Sequence, residues 1–282
     1  MEKFKRLRQQ LRQLLDDNTS LLAPSAYDSL SAKIIEKVGF PLVYVGSYGV
    51  SAAKGLPDVG LLTLDELVSV AGAVVNAVQV PVLADAENGF YHPANIWRMV
   101  QAYEQAGVAG IHIDDHVSGK HSNLPPRMLT QEQLLKNLHA ALQARTDPDF
   151  LIIGRTDIAW ATGDAEQAVE RMVAMLDAGA DLVFPTGLTH VQLAEIRQRI
   201  PGKIICVYQE GATAEQQADA AISITIYHSL SLYAAADAVT LALTDLKNAE
   251  HGKIARQSQP VAALLDQLLD YKGFNARGQR YL

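Results

Sequence analysis

Short apolar runs recur along this chain, each followed by a polar loop and then a segment of helical periodicity. They fall at 20–24, 41–45, 80–86, 110–114, 150–154, 182–184, 203–207 and 221–225, at intervals of roughly 20 to 40 residues. Runs that short, apolar without alternation, are the pattern of strands buried on both faces of a parallel sheet. Eight strands alternating with helices constrain the fold more than any other feature, and they predict a (β/α)8 barrel. An open doubly wound sheet is the alternative, but no glycine fingerprint follows the first strand. Among the helices, 3–17 (within a lead segment 1–18) carries Phe4, Leu7, Leu11, Leu14 and Leu15 on one face. Others are read at 25–38, after Thr63 with Glu66 completing a capping box, from Pro93 to Ala106, at 164–178 where Gly179 stops it, and at 260–271.

At 282 residues, 49% hydrophobic and 20% charged, the composition suits one globular barrel domain over 1–282, with a C-terminal helical region at 237–282. A net charge of −7 gives no basic footprint for nucleic acid or for an anionic membrane surface. One cysteine, Cys206, leaves no intrachain disulfide and fits a reducing compartment; lying inside the run 204–207, it reads as a small buried hydrophobe. No apolar stretch approaches the roughly 20 residues of a membrane span, and the charged N-terminus has no signal-like core. The expectation is a cytoplasmic protein with a small-molecule substrate, no nucleic acid and no membrane.

Chemistry in such a barrel gathers at the C-terminal ends of its strands. The run at 80–86 ends in Asp85-Ala86-Glu87-Asn88-Gly89, and the run at 110–114 ends in Asp114-Asp115. In a strand, spacing of two puts Asp85 and Glu87 on one face. Two strands ending in acids are costly to bury without a cation, and a hard divalent ion such as Mg²⁺ accounts for both ends together. Other strand ends add Gly46-Ser47-Tyr48, Arg155-Thr156-Asp157, Pro185-Thr186 and His228, and the loops add Asp58, Lys120 and His121. Carboxylates for a cation, an arginine for a carboxylate clamp and backbone amides at Gly46-Ser47 describe an anion-and-metal site. His112, in mid-strand, is read as packing away from the rim, and His92 and His190 as loop or helix-start residues. Residues 116–130 form an unusually long polar loop, the expected gate of the site.

The ordered set VGS at 45–47, LPD at 56–58, ADAENG at 84–89, IDD at 113–115 and IIGRTD at 152–157 resembles the isocitrate lyase/phosphoenolpyruvate mutase superfamily. The resemblance runs from Pro24 to about Ala236. It implies a TIM barrel of the phosphoenolpyruvate/pyruvate type whose last helix is swapped between subunits of a homodimer or homotetramer. It further implies Mg²⁺ or Mn²⁺ near Asp85, with Asp58, Glu87 and Asp114 acting directly or through waters. Substrate would be held by Gly46, Ser47, Tyr48, Asp85, Arg155 and His228, with Arg155, His228, Lys120 and Tyr48 as catalytic residues.

The gate separates the subfamilies. Carbon–carbon lyases of the methylisocitrate type resemble one another in KKCGH, whose cysteine is the acid/base; here Ser118-Gly119-Lys120-His121-Ser122 contains none. Phosphonate-forming mutases carry EDKxFPKxNS, of which Lys120 is retained while Ser122 stands at the asparagine. The remaining resemblance is to oxaloacetate decarboxylases, which lack that cysteine and have a histidine matched by His228. Glu87 for the usual Asp and Asp114 for the usual Glu are the departures. The expected reaction is decarboxylation of oxaloacetate to pyruvate. The alternatives are cleavage of a methylisocitrate- or dimethylmalate-like acid, phosphonopyruvate chemistry, and non-catalytic binding of a 2-oxo acid.

Overall fold

A computed structural model of the chain describes residues 2–17, 20–90, 93–118, 120–122, 124–249 and 259–280. Its strands are β1 (Leu21–Pro24), β2 (Val43–Val45), β3 (Val82–Asp85), β4 (Gly110–Ile113), β5 (His116–Ser118), β6 (Arg127–Met128), β7 (Leu151–Thr156), β8 (Leu182–Pro185), β9 (Ile204–Val207) and β10 (Ile222–Tyr227). Eight of them form one parallel sheet in the order β1-β10-β9-β8-β7-β4-β3-β2, and a bridge between Ser25 and Tyr44 joins its two edges. This is the eight-stranded barrel that the apolar runs predict. β5 and β6 pair antiparallel with each other, outside the barrel.

Strand alternation divides the core in two. Tyr44, Leu83, Leu151, Ile153, Phe184, Ile205 and Ile224 point inward, joined by Leu11 and Leu15 of the lead helix Glu2–Asp16. Val43, Val45, Val82, Ala84, Ile111 and Ile152 point outward under the surrounding helices. Both faces are covered, so each strand reads as continuously apolar. Four helices open on a threonine whose side chain accepts the third N–H while a Glu or Gln reaches back, at Thr63, Thr130, Thr189 and Thr213. Gly179, at φ +102°, follows the helix Ala165–Asp177 as expected.

Several boundaries differ from the sequence expectation for local reasons. The second helix starts at Ser29, because the Asp28 side chain caps Ser31 N–H and leaves residues 25–27 extended at the rim. The stretch 46–49, expected as a loop, opens the helix Ser47–Ala53, so Ser47 N–H is a free-end donor rather than a loop amide. The gate contains the β5–β6 pair, and Leu129 N–H donates to the Asp115 carbonyl at its base. A short helix, Ile158–Thr162, follows β7 unannounced by any periodicity.

By contacts, the chain divides into 1–230 and 231–282. The second unit contains most of the helix Leu230–Asn248, which has no buried residue, and then Gln259–Leu268 and Tyr271–Gln279. The last two replace the single helix expected at 260–271, since Asp270 adopts φ +56° and caps Gly273 N–H. Among the described residues no helix is long and apolar enough to cross a membrane.

Candidate active site

The rim of the barrel is organised around a buried lysine among acids. Asp85, at the end of β3, accepts Ser47 Oγ–H at 3.0 Å and Ser47 N–H at 3.4 Å on Oδ2, and Glu87 N–H at 2.8 Å on Oδ1. Glu87 sits at φ +50°, in the left-handed region, and this turn sends its side chain back toward Asp114 and Lys120. Asp114 Oδ1 accepts His116 N–H at 3.1 Å; its Oδ2 is buried with no hydrogen-bond partner. Lys120 Nζ lies 3.0 Å from Glu87 Oε2, 3.6 Å from Asp114 Oδ2 and 3.9 Å from Asp85 Oδ2.

These groups perturb one another. Burial pushes Glu87 up to about 7, against the pull of Lys120 and with the help of Asp85 and Asp114. Burial also raises Asp114. For Asp85 burial is overruled by nearby cations, Lys120 foremost, and the carboxyl is held well below the usual range. Burial alone would lower Lys120, but Asp85, Glu87 and Asp114 raise it well above an ordinary lysine. Lys120 is therefore a charged ammonium in a buried site.

A buried histidine lies beneath Asp85. His112 is fully buried inside the barrel, with Nε2 2.8 Å from Tyr44 Oη and Nδ1 3.7 Å from Asp85 Oδ1. Burial lowers it to about 4, so it stands neutral under the carboxylate. Tyr103 Oη–H donates to the Asp85 carbonyl at 2.7 Å.

The opposite wall is built on β7. Asp157 grips Arg155 through Nε at 2.8 Å and Nη2 at 2.9 Å, and the guanidinium lies 5.1 Å over the Phe184 ring. Asp157 also accepts Thr186 Oγ1–H at 2.7 Å, and despite burial it is held down to about 2, chiefly by Arg155. Asp115, which sequence analysis grouped with Asp114, faces away from the rim. It is fully buried against Arg171 (2.6 Å), Thr156 Oγ1 (2.6 Å) and Asp157 N–H (2.9 Å), and Arg171 also donates to Leu129 at the base of the gate.

These walls enclose a cavity of about 290 Å³. Its lining includes Gly46, Ser47, Tyr48, Asp58, Asp85, Lys120, Arg155 and His228, eight of the ten residues expected at the site. The other two, Glu87 and Asp114, line a smaller adjoining cavity of about 30 Å³, with Lys120 common to both. Asp58 Oδ2 lies 3.9 Å from His121 Nε2, and its charge also bears on Glu87. Tyr48 and His228 pack edge to face at 5.8 Å, and so do His121 and Trp160. Sequence reading missed Trp160, His116 and the place of His112 beneath Asp85. Trp160 stands on the unannounced short helix, and the His116 ring lies 5.5 Å from it. His190 does open a helix, as expected, and its Nε2 lies 3.3 Å from Cys206 Sγ. The buried thiol, pushed up to about 12, is absent from the cavity lining. His92, Gly119 and Asn123 lie outside the described residues.

Among the described residues no three His, Cys, Asp or Glu side chains close a metal cage by themselves. Mg²⁺ does not demand one, since it commonly takes one or two carboxylates and completes its shell with water and ligand oxygens. The hard oxygen donors of Asp85, Glu87 and Asp114 gather round the Lys120 ammonium, and one of them, Asp114 Oδ2, accepts no hydrogen bond; such a donor set fits the ion.

A parallel barrel with an acid-and-cation rim and a small cavity open at one end defines the class; comparison with known proteins gives the family. A model of the family described as phosphoenolpyruvate phosphomutase matches residues 11–247. The chain is 36% identical to 2,3-dimethylmalate lyase of Eubacterium barkeri, over 94% of this chain and 91% of that protein. It is 32% identical to an oxaloacetate decarboxylase of Rhodopseudomonas palustris strain BisB5, over 96% and 95%. The crystal structure of phosphoenolpyruvate phosphomutase from Streptomyces platensis subsp. rosaceus superposes with a TM-score of 0.88 at 28% identity, covering 97% of this chain and 99% of that one. A phosphonopyruvate hydrolase solved with oxalate and Mg²⁺ superposes at 0.84 with 25% identity, covering 97% and 98%. The chain belongs to the phosphoenolpyruvate mutase/isocitrate lyase superfamily.

Proposed function

We propose that this chain is a divalent-metal-dependent lyase of a small 2-oxo or 2-hydroxy dicarboxylate, and that its reaction is decarboxylation of oxaloacetate to pyruvate and CO₂. The observation that carries the choice is the position of Cys206. The only thiol of the chain is buried against His190, away from the cavity, so the acid/base expected of a carbon–carbon lyase has no counterpart there. Decarboxylation needs no such group.

Asp85, with Glu87, Asp114 and Asp58 directly or through waters, would hold Mg²⁺ or Mn²⁺, which when bound supplies a Lewis acid for the 2-oxo group. Arg155 and the Ser47 N–H orient the oxalyl end and face the oxygen on which charge develops as the C3–C4 bond breaks. Lys120 adds a second buried positive charge on the same side. Asp157 fixes the Arg155 plane, and Ser47 and the Glu87 N–H fix the Asp85 carboxylate. Tyr48 and His228 border the departing carboxylate.

A second reading is favoured by the 36% identity to 2,3-dimethylmalate lyase. It is retro-aldol cleavage with His121, Lys120 or Tyr48 serving where relatives use cysteine. The reading extends to a cytoplasmic homodimer or homotetramer, supported by the exposed Tyr233, Val239, Leu241, Leu243 and Leu246 on the helix Leu230–Asn248. The test is purified protein with Mg²⁺ and oxaloacetate, following pyruvate above the metal-only rate with an EDTA control. Protein-dependent, chelator-sensitive pyruvate is expected. No excess over metal alone, together with two organic products from a substituted malate, would replace this reading by the second.

A further inference from the structure

Charge is distributed unevenly between the floor and the mouth of the cavity. The floor is closed: Ser47 and Asp85 are 1% and 3% exposed. Both cations of the lining, Lys120 and Arg155, are part of this buried end, with side chains 8% and 12% exposed. The mouth is open and contains no cation among the described residues. It is framed by two edge-to-face pairs, His121 with Trp160 and Tyr48 with His228, and the His121 side chain is half exposed. Of the charges that act on the His121 ring, the anion Asp58, with Oδ2 at 3.9 Å, outweighs either Lys120 or Arg155 of the floor.

We propose that the mouth is a neutral aromatic frame that leaves the distal carboxylate of the substrate without a counter-ion, so that binding rests on the oxalyl end alone. This rests on the lyase reading above and deepens it. A carboxylate taken from water into a frame of rings, beside Asp58, loses hydration that nothing there replaces. The cations sit instead where charge arrives. When the C3–C4 bond breaks, its electron pair forms the C2–C3 double bond, and the carbonyl pair moves onto the C2 oxygen. CO₂ leaves uncharged, and C3 later takes a proton from water. The negative charge has then moved from mouth to floor, toward Lys120 and Arg155, so the charge arrangement favours the transition state over the bound substrate.

The test compares ligands that differ only at the distal end, by calorimetry at pH 8 with Mg²⁺ on the full-length protein. Malate and lactate share the 2-hydroxy acid; malate adds the second carboxylate. In the wild type, malate is expected to bind no more than about threefold tighter than lactate. His121→Lys, which places a cation at the mouth, is expected to tighten malate over lactate at least tenfold and to lower kcat on oxaloacetate. Its oxalate affinity, read at the floor, shows that the variant is folded. A wild type binding malate more than tenfold tighter than lactate would overturn the proposal, as would a His121→Lys protein that binds oxalate but gains nothing for malate. Wild-type protein that fails to bind oxalate with Mg²⁺ would instead remove the lyase reading, and this inference with it.

Discussion

The two ends of the barrel both bury charge, and they do so differently. At the N-terminal end Arg8 donates to the Val108 carbonyl at 3.0 Å, to the Glu104 carbonyl and to Asp147 Oδ2 at 2.7 Å. Glu104 in turn accepts from Thr146 N–H, Thr146 Oγ1–H and Asp147 N–H. Asp181 is shared by Arg12 at 2.9 Å, Arg145 at 2.8 Å and the Ile152 N–H at 2.8 Å. Each carboxylate there is satisfied several times within the chain. At the C-terminal end Asp114 Oδ2, His112 Nδ1 and both His116 nitrogens are buried without hydrogen-bond partners. Saturated charges hold a fold together, whereas unpartnered polar atoms gathered beside a cavity are open to a ligand that completes them.

Substitutions at the two ends separate these roles, and the largest effect belongs to the rim. Asp85→Ala is expected to lower the turnover of oxaloacetate by about a thousandfold, near 4 kcal/mol in activation free energy. Its melting temperature should stay close to wild type, since Lys120 keeps Glu87 and Asp114 as partners. Arg8→Ala should do the reverse. It takes the ion-pair partner from Asp147 and a donor from the Val108 and Glu104 carbonyls, and is expected to cost about 2 to 3 kcal/mol in denaturant unfolding, with activity per folded molecule retained.

The pH dependence of stability sharpens the comparison. The Glu87 carboxyl is raised in the folded state to about 7, so between its ordinary value of 4.5 and 7 the native protein binds the extra proton. The Glu87 contribution to stability therefore falls as pH rises through that window, by about 3 kcal/mol. His112, lowered to about 4, contributes in the opposite sense between 4 and 6.5. Glu87→Gln, measured by urea unfolding in EDTA, should remove the falling contribution, so that stability rises more steeply with pH than in the wild type. An unchanged slope would show that Glu87 is not strained by its neighbours. The smallest contrast lies within one dipeptide. Asp115→Asn, which weakens the buried Arg171 pair, should destabilise by about 2 kcal/mol, whereas Asp114→Asn should change stability by less than half of that.

The legibility of the sequence follows the same division. Barrel strands were readable because burial on both faces makes them continuously apolar, and Thr63 with Glu66 announced its helix locally. Rim acids were readable as polar residues terminating apolar runs. Asp114 and Asp115 looked equivalent, because neither their type nor their spacing says that one faces Lys120 and the other Arg171, 56 residues further on. His112 packs away from the rim as its mid-strand position suggests, but which barrel face it takes was not legible. A histidine in mid-strand carries no mark of that, and its partners Tyr44 and Asp85 come from two other strands. Trp160 was invisible as a site residue, since the five-residue helix bearing it is too short to show a period.

Under the proposed function, a metal and a small dianion complete the rim. Thermal unfolding of the wild type with Mg²⁺ alone, oxalate alone and both together tests this directly, with Asp85→Ala run beside it. A large rise in melting temperature is expected only with both ligands present, and it should vanish in Asp85→Ala. A wild type unmoved by the pair, or an Asp85→Ala protein stabilised as much as wild type, would contradict the account.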